Sequence, residues 1–415
     1  MGAARIRRRG VAVCAALGAS LLAAAGCGTS GGGHTEAKAP SPSKAHNDHQ
    51  ADKAALSWKF AHIADFNGEL TDVAVLAEDD IWATGAENDG GYSPLLLHYD
   101  GDRWRRELLP DALGAGEGYP PTLEEAGDKT LWMRSVPRQE GVAQEDAEAP
   151  KWVQWDGTRW SPVPNPPPGA AAHLDAASRD DIWTLTGEQT AAHWDGTRWT
   201  TTRLPYRVAD LAVAGPDDVW AVGSRSTGPG TETVHGEAYA QPASAHWDGT
   251  SWKPVDTPEA RFEEPVPPEP GAGLNRVVAL EGGEVRAYGI NSFNHGEGEP
   301  EPQDQYIRLR RDGADWAAQD PAPGQCELRI PVGQDKGGLF LDGNWYLTDD
   351  NRCVKIKRQR LPLSTGARES SNQQLWLKEI HRVPGADAWI GAGKVEVMQS
   401  GDPFGAPVVV RLERG

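Results

Sequence analysis

Two short segments of the chain carry residues that could bind a transition metal. The tripeptide His-Gly-Glu occurs at 235–237 and again at 295–297. Imidazole and carboxylate groups are good ligands for Zn²⁺ and similar ions. His235, Glu237, His295 and Glu297 would therefore form a four-ligand site if their two loops were neighbours. The alternative is a chance repeat, because the chain is rich in Gly and Glu.

Acidic residues gather in the same kinds of segment. They are Glu140, Asp146, Glu148, Glu263, Glu264, Glu269, Glu297, Glu299, Glu301 and Asp304. If they border one mouth, their field attracts cations, and Ca²⁺ becomes a candidate beside Zn²⁺; otherwise they are solvated loop charges. We predict no other cofactor. The chain has 41 basic and 60 acidic residues and a net charge of −19, so we expect no binding to nucleic acid.

A repeated phrase defines the elements that must position these residues. Asp-Asp-Ile-Trp occurs at 79–82 and 180–183, and Asp-Asp-Val-Trp at 217–220. Each is followed by His-aromatic-Asp-Gly and a second Trp, at 98–104, 193–199 and 246–252. Recurrence of this kind indicates copies of one supersecondary unit. Asp-Gly between two strand-like runs predicts a hairpin, and each copy fits four short antiparallel strands.

The repeat predicts an all-β fold, a seven-bladed β-propeller with four antiparallel strands in each blade. Seven copies fit between about residue 70 and the end of the chain, although the fifth and sixth are degraded. The seventh copy lacks its fourth strand, and residues 56–60 resemble the missing strand. An amino-terminal strand added to the last blade would close the ring and leave no open edge there.

A family resemblance rests on two phrases. Asp-Val-Trp-Ala-Val-Gly at 218–223 and His-Trp-Asp-Gly-Thr-x-Trp at 246–252 resemble those of secreted bacterial β-propeller proteins of the kelch/galactose-oxidase-like type, frequent in actinobacteria. The resemblance covers residues 56–415. It implies a propeller outside the cytoplasm, but no single activity.

The amino-terminal residues predict export. Residues 1–26 have a basic start, a short apolar stretch and small residues before Cys27, which resembles a lipobox and implies a lipoprotein signal peptide with lipidation of Cys27. The alternative is an ordinary signal peptide. Residues 27–55 have the composition of a disordered tether, and residues 56–415 form the propeller domain. We expect a protein held on the extracytoplasmic side of the cell membrane by a lipid anchor only.

Cys326 and Cys353 are the remaining cysteines of the folded part, and export favours a disulfide between them. The repeat template places Cys326 at the start of the first strand of copy six and Cys353 at the start of the fourth. These positions are farther apart than the ~6 Å that a disulfide allows between α-carbons. Either copy six is irregular or the thiols are free.

Aromatic residues divide into two groups. Most Trp residues recur at one place in the second or the fourth strand, which predicts packing between blades. The repeated histidines His98, His193 and His246 are likewise predicted to be structural. Trp152, Trp345 and Trp376 fall outside these places and are better candidates for a ligand surface.

Loop lengths predict where function lies. Connections between second and third strands, and between one blade and the next, share one face and are long at 86–94, 135–150, 224–242, 259–273 and 291–304. We therefore expect a monomeric binding or scaffold module that meets a cell-envelope protein or glycan through this long-loop face. A positional role in envelope assembly is a third possibility. No catalytic motif is recognisable, but an enzyme alternative (hydrolase, lyase or oxidase) would place its site at the mouth of the central channel.

Overall fold

The structure is a computed structural model that describes residues 56–88, 91–114, 118–127, 129–137, 150–164, 174–226, 239–280, 283–296, 302–313 and 315–414. The predicted signal peptide, Cys27 and the tether lie outside the described residues, so these remain predictions. In the described ranges, no helix has the length and apolar character needed to cross a bilayer.

The described residues form seven sheets, and in the first six the antiparallel strands follow one another in chain order from the inner to the outer edge. The first four blades are β2 (Gly68–Ala77), β3 (Asp80–Glu87), β4 (Ser93–Tyr99) and β5 (Trp104–Glu107); β6 (Gly118–Glu125), β7 (Leu131–Pro137), β8 (Trp152–Trp155) and β9 (Trp160–Pro162); β10 (Leu174–Ser178), β11 (Asp181–Gly187), β12 (Thr190–Trp194) and β13 (Trp199–Arg203); β14 (Arg207–Gly215), β15 (Asp218–Arg225), β16 (Gln241–Trp247) and β17 (Trp252–Val255).

The remaining three blades complete the ring. Blades five and six are β18 (Gly271–Ala279), β19 (Val285–Ser292), β20 (Gln305–Asp312) and β21 (Asp315–Ala318); β22 (Pro331–Asp335), β23 (Gly338–Leu341), β24 (Trp345–Thr348) and β25 (Cys353–Lys355). Blade seven is β27 (Asn372–Arg382), β28 (Trp389–Met398), β29 (Phe404–Arg414), β1 (Leu56–Ile63) and the two-residue β26 (Lys357–Arg358). The predicted seven-bladed, all-β propeller is confirmed.

The amino-terminal strand closes the ring as predicted. β1 pairs antiparallel with β29, with Trp58 opposite Leu412 and Ile63 opposite Val408. The sequence did not predict β26, which pairs in parallel with β1 and makes this blade five-stranded. The outer edge of the closing strand is therefore partly covered by the connection from blade six.

Tryptophan pairs join neighbouring blades. The second-strand indole of one blade meets the fourth-strand indole of the next edge to face: Trp82–Trp160 at 5.4 Å, Trp132–Trp199 at 6.0 Å, Trp183–Trp252 at 5.5 Å and Trp220–Trp316 at 5.3 Å between ring centroids. Between blades six and seven, Phe340 and Trp58 take the same places, with centroids 6.0 Å apart. The predicted packing role of these residues is confirmed, and such pairs contribute about 0.5–1.5 kcal/mol beyond area burial.

The three repeated histidines are structural, as predicted. In blade four, Nε2 of His246 lies 2.8 Å from Oδ1 of Asp218, and the indole Nε1 of Trp220 donates to the same oxygen at 2.8 Å. The imidazole also stacks on that indole with centroids 4.5 Å apart. His98 and His193 make the same contacts in blades one and three.

The interface between blades five and six departs from this pattern. Arg286 stands where a second-strand Trp would be, and Cys353 stands where the facing fourth-strand Trp would be. Cys353 forms a disulfide with Cys326, with α-carbons 5.7 Å apart. The expected position of Cys326 at the start of a first strand was wrong, because a 3-10 turn at Gly324–Cys326 precedes β22 and carries this residue to β25.

Two connections on the long-loop face are shorter than expected. Only residues 188–189 separate β11 from β12, and only 342–344 separate β23 from β24. The connections between blades at 256–270, 319–330 and 359–371 are long. Blade six therefore has only a short turn of its own on this face, and the long connections at 319–330 and 359–371 lie on either side of it.

Candidate ligand-binding site

A set of carboxylates lies on the innermost strands, and sequence reasoning missed it. Asp72, Asp175 and Asp210 each accept two backbone hydrogen bonds, one from the next residue and one from the neighbouring blade. The donors in the neighbouring blades are the amides of Leu123 at 2.8 Å, Val213 at 2.7 Å and Val277 at 2.8 Å. These aspartates clip adjacent inner strands together and saturate backbone donors that a buried strand would otherwise leave unpaired.

Two further acids and one histidine complete this inner set. The Nδ1 atom of His381 lies 3.1 Å from Oε1 of Glu125, which also accepts the amide of Val75 at 2.5 Å. Glu124 lies beside them on β6 and interacts with Asp175.

Burial and mutual repulsion set the ionisation of the inner set. Burial, with the nearby charge of Glu379, raises the pKa of Asp72 to about 7, and burial raises that of Asp175 to about 6. Burial and the charges of Asp175 and Asp72 raise the pKa of Glu124 well above its ordinary value. Burial would lower the pKa of His381, but Glu125 and the other acids raise it to about 9. The set thus holds a protonated His381 near three acids that resist ionisation, Asp72, Asp175 and Glu124.

The predicted metal residues lie mostly beyond the described part of the chain. His235, Glu237 and Glu297 fall outside the described residues. The Nε2 atom of His295 lies 3.2 Å from Oδ1 of Asp304. The imidazole of His295 also packs against the Phe293 ring, with the ring centroids 4.0 Å apart. Within the described ranges, no group of three or more His, Cys, Asp or Glu side chains has a metal-binding arrangement. A metal site formed by the two tripeptides therefore stays a prediction.

Part of the predicted acidic loop surface is described. Glu263, Glu264 and Asp304 line one cleft of about 760 Å³, together with Glu327, which the sequence did not single out. Glu140, Asp146, Glu148, Glu299 and Glu301 lie outside the described residues.

A second cleft on the long-loop face has the opposite charge. It lies between blades six and seven and has a volume of about 540 Å³. We call it the basic cleft. Its lining includes five cations, two indoles and five amide side chains: Arg329, Lys355, Lys357, Arg358, Arg360, Trp345, Trp376, Gln325, Asn344, Asn372, Gln373 and Gln374. No Asp or Glu is among its described lining residues.

The two indoles hold a guanidinium between them. Cζ of Arg329 lies 5.5 Å from the ring centroid of Trp345 and 5.6 Å from that of Trp376. Nζ of Lys355 lies 5.6 Å from the Trp345 ring. Gly343 makes this packing possible, because a Cβ atom there would meet the Arg329 guanidinium and the Trp376 ring. These cation–π contacts fix two positive charges on a rigid wall.

The charges of the basic cleft are largely uncompensated. The Nη1 atom of Arg329 lies 3.7 Å from Oδ1 of Asp342. For Lys355, Lys357, Arg358 and Arg360, no carboxylate oxygen lies within 4.0 Å in the part of the chain described. Burial and the charge of Arg360 lower the pKa of Arg358. Positive side chains that repel one another in this way attract an anion.

An arginine-lined cleft between blades five and six provides a contrast. It has a volume of about 710 Å³ and lies on the opposite, tight-turn face. There Glu284 accepts from Arg286 at 2.6 Å and from Arg310 at 3.0 Å. Three acids, Glu284, Asp320 and Asp349, line that cleft beside its four arginines and offset much of their charge, so the basic cleft is the better anion site.

Two residues of the basic cleft had been singled out from the sequence. Trp345 and Trp376 were expected at a ligand surface, and both are half-buried walls of the basic cleft. Trp152 was a wrong candidate, because it is 2% exposed and packs against Trp132 and Trp199. The cations were missed, although Lys-Ile-Lys-Arg-Gln-Arg at 355–360 is a basic run in an acidic chain and could have signalled them.

Comparisons with known proteins give structural similarities at low sequence identity. No protein-family model matches the chain, and no curated protein sequence does. Among solved structures, the chain is similar to YCF48 from Cyanidioschyzon merolae, with 14% identity over 86% of this chain and 98% of that one and a TM-score of 0.43. It is also similar to the β-propeller domain of the Trilobed protease from Pyrococcus furiosus, with 9% identity, 82% and 97% coverage and a TM-score of 0.45. A third is the polysaccharide lyase Uly1, with 9% identity, 85% and 91% coverage and a TM-score of 0.45.

Proposed function

We propose that this protein is a membrane-anchored, extracytoplasmic binding propeller that engages a cell-envelope protein or glycan through its long-loop face. The observation that carries the proposal is the basic cleft between blades six and seven. The finer family assignment, a kelch-like lipoprotein of actinobacterial type, and the monomeric state belong to the same proposal.

Three features support binding at this face. The basic cleft is built on strands and braced connections: Arg360 donates to the carbonyls of Glu369 at 3.0 Å and Ser371 at 2.7 Å. Its volume lies within the range of small-ligand sites, about 300–1,000 Å³. Its charge is opposite to that of the whole chain, which has a net charge of −19. Local reversal of charge on a rigid scaffold is typical of a recognition site.

The enzyme alternative has weaker support. Its site would use the carboxylates of the innermost strands, but Asp72, Asp175 and Asp210 already accept two backbone hydrogen bonds each. A general acid or base must instead reach the reacting proton of a substrate. The backbone contacts explain these aspartates without catalysis.

A pull-down from envelope extracts tests the binding proposal. The full-length protein, solubilised in detergent, is used as bait beside a Lys355→Gln/Lys357→Gln variant. The matched control is Arg159→Gln/Arg198→Gln, which removes equal charge from tight-turn side chains that are 80% and 77% exposed. We expect the basic-cleft variant to lose its bound material and the control to keep it. Equal capture by all three proteins would contradict the proposal.

The anchor is tested separately. Cys27→Ala should move the protein from the membrane fraction to the soluble fraction, because no lipid can then be attached to this residue. Unchanged membrane association would overturn the anchoring part of the proposal and leave the binding part intact.

A further inference from the structure

We infer that the ligand of the basic cleft is an acidic saccharide that carries carboxylate or sulfate groups together with free hydroxyls. The inference rests on the proposed function, and it adds the chemical class of the ligand. The juxtaposition of unpaired cations with a row of amide side chains carries it.

The cations call for an anionic ligand. Lys355 and Lys357 are exposed, and their ammonium groups have no carboxylate within 4.0 Å in the described residues. Arg329 is held by two indoles, so its position is set before a ligand arrives. Charge-assisted hydrogen bonds to carboxylate or sulfate oxygens would satisfy these donors.

The Asn and Gln side chains of the basic cleft favour a ligand that also carries hydroxyl groups. Gln325, Asn372 and Gln374 are exposed on the wall of the basic cleft, and amides both donate to and accept from hydroxyls. Asn344 is 3% exposed, and its Oδ1 atom has no hydrogen-bond partner among the described residues. That oxygen is itself buried, so the ligand's hydroxyls would meet the three exposed amides, to whose oxygens a hydroxyl can donate and a carboxylate or sulfate cannot.

Other anionic ligands fit less well. An extended peptide usually adds to an exposed sheet edge, but on this side of blade seven the edge strand is the two-residue β26. A long nucleic acid would carry dense charge across a protein whose net charge is −19. A saccharide with charges spaced along hydroxyl-bearing rings matches a local basic cleft on an acidic surface.

Titration calorimetry of the full-length protein in detergent tests the inference with defined probes. The first is an oligogalacturonate, and the second is its fully methyl-esterified form, which keeps the hydroxyls and loses the charge. An oligoglutamate of equal length keeps the charge and loses the hydroxyls. A sulfated oligosaccharide distinguishes the two kinds of acidic group.

We expect the oligogalacturonate or the sulfated oligosaccharide to bind, and the ester and the oligoglutamate to bind at least about tenfold more weakly, the change that corresponds to losing one charge-assisted hydrogen bond. Lys355→Gln/Lys357→Gln and Asn372→Ala/Gln374→Ala should each weaken binding by a similar factor. Arg159→Gln/Arg198→Gln should not change it, and unchanged thermal unfolding confirms that each variant is folded.

Two outcomes would overturn the inference. One is equal binding of oligoglutamate and oligogalacturonate, and the other is failure of both acidic saccharides to bind. In either case the proposed function stands if envelope capture still depends on Lys355 and Lys357. Loss of that dependence would instead remove the proposed function.

Discussion

Replacing Asp210 by alanine should weaken the contact between blades four and five. Asp210 is 1% exposed, and its Oδ1 and Oδ2 atoms accept the amides of Leu211 at 2.9 Å and Val277 at 2.8 Å. The guanidinium Nε of Arg276 lies 3.8 Å from Oδ2. The substitution removes both acceptors from buried strands and deletes the carboxylate beside this cation.

The expected loss follows from the unpaired donors. Each buried amide that loses its acceptor costs about 1–3 kcal/mol, so two cost about 2–6 kcal/mol before any relaxation. Water entering the space left by the carboxylate would bring the loss toward the lower figure. Since domains are stable by about 5–15 kcal/mol, the effect is a large share of the total.

Urea unfolding followed by tryptophan fluorescence measures this loss. The matched control is Asp102→Ala in an exposed turn, which should change the free energy of unfolding by less than about 0.5 kcal/mol. The slope of the unfolding free energy against urea concentration should stay unchanged, so that only the midpoint of the transition shifts. A loss below about 1 kcal/mol for Asp210→Ala would refute the reasoning that these aspartates clip the blades together.

Three further predictions concern the fold. The pKa values of Asp72 (about 7) and His381 (about 9) exceed their ordinary values of 3.8 and 6.5, so the folded state binds more protons than the unfolded state. Stability should therefore fall from about pH 4 to pH 9; melting temperatures across this range check it, and a flat profile would contradict it. Trp58→Ala should cost about 3–5 kcal/mol in urea unfolding, because the side chain is 1% exposed in the closing strand; a loss below about 1 kcal/mol would argue against closure. Gly249→Ala should lower the free energy of unfolding by about 1–2 kcal/mol, because the backbone at Gly249 has a φ of +84°. Its control in the same assay is Gly187→Ala, where an added Cβ atom would meet nothing within 4 Å.

The architecture was predictable because its signals are local and repeated. In blades one to four, each Asp-Gly turn is followed by a Trp at the same distance, and this signal needs only its own hairpin. The role of Trp58 followed from the same template, since residues 56–60 resemble the fourth strand that the last copy lacks.

The inner clips and the basic cleft were not predictable in this way. Asp72, Asp175 and Asp210 accept from amides that lie 51, 38 and 67 residues away in sequence. Asp72 and Asp210 do share one place in the repeat, seven residues before an Asp-Asp pair, but that placement does not show that their partners lie in the next blade. The basic cleft combines the connection before β22, the turn before β24, the basic run at 355–360 and the start of β27, so this run meets Arg329, the indoles and the amides only after two blades have formed.

The disulfide and the basic cleft belong to one departure from the repeat. In blades two to five, a fourth-strand Trp anchors the outer strand against the preceding blade. In blade six, Cys353 takes that place and a covalent bond to Cys326 holds the strand instead. Both cysteines pack in an apolar cluster with Leu280, Leu339 and Leu347, and the rest of β25 and the segment after it carry Lys355 and Lys357 at the surface. Loss of the repeated Trp therefore coincides with the cations of the basic cleft, which the proposed function assigns to ligand binding.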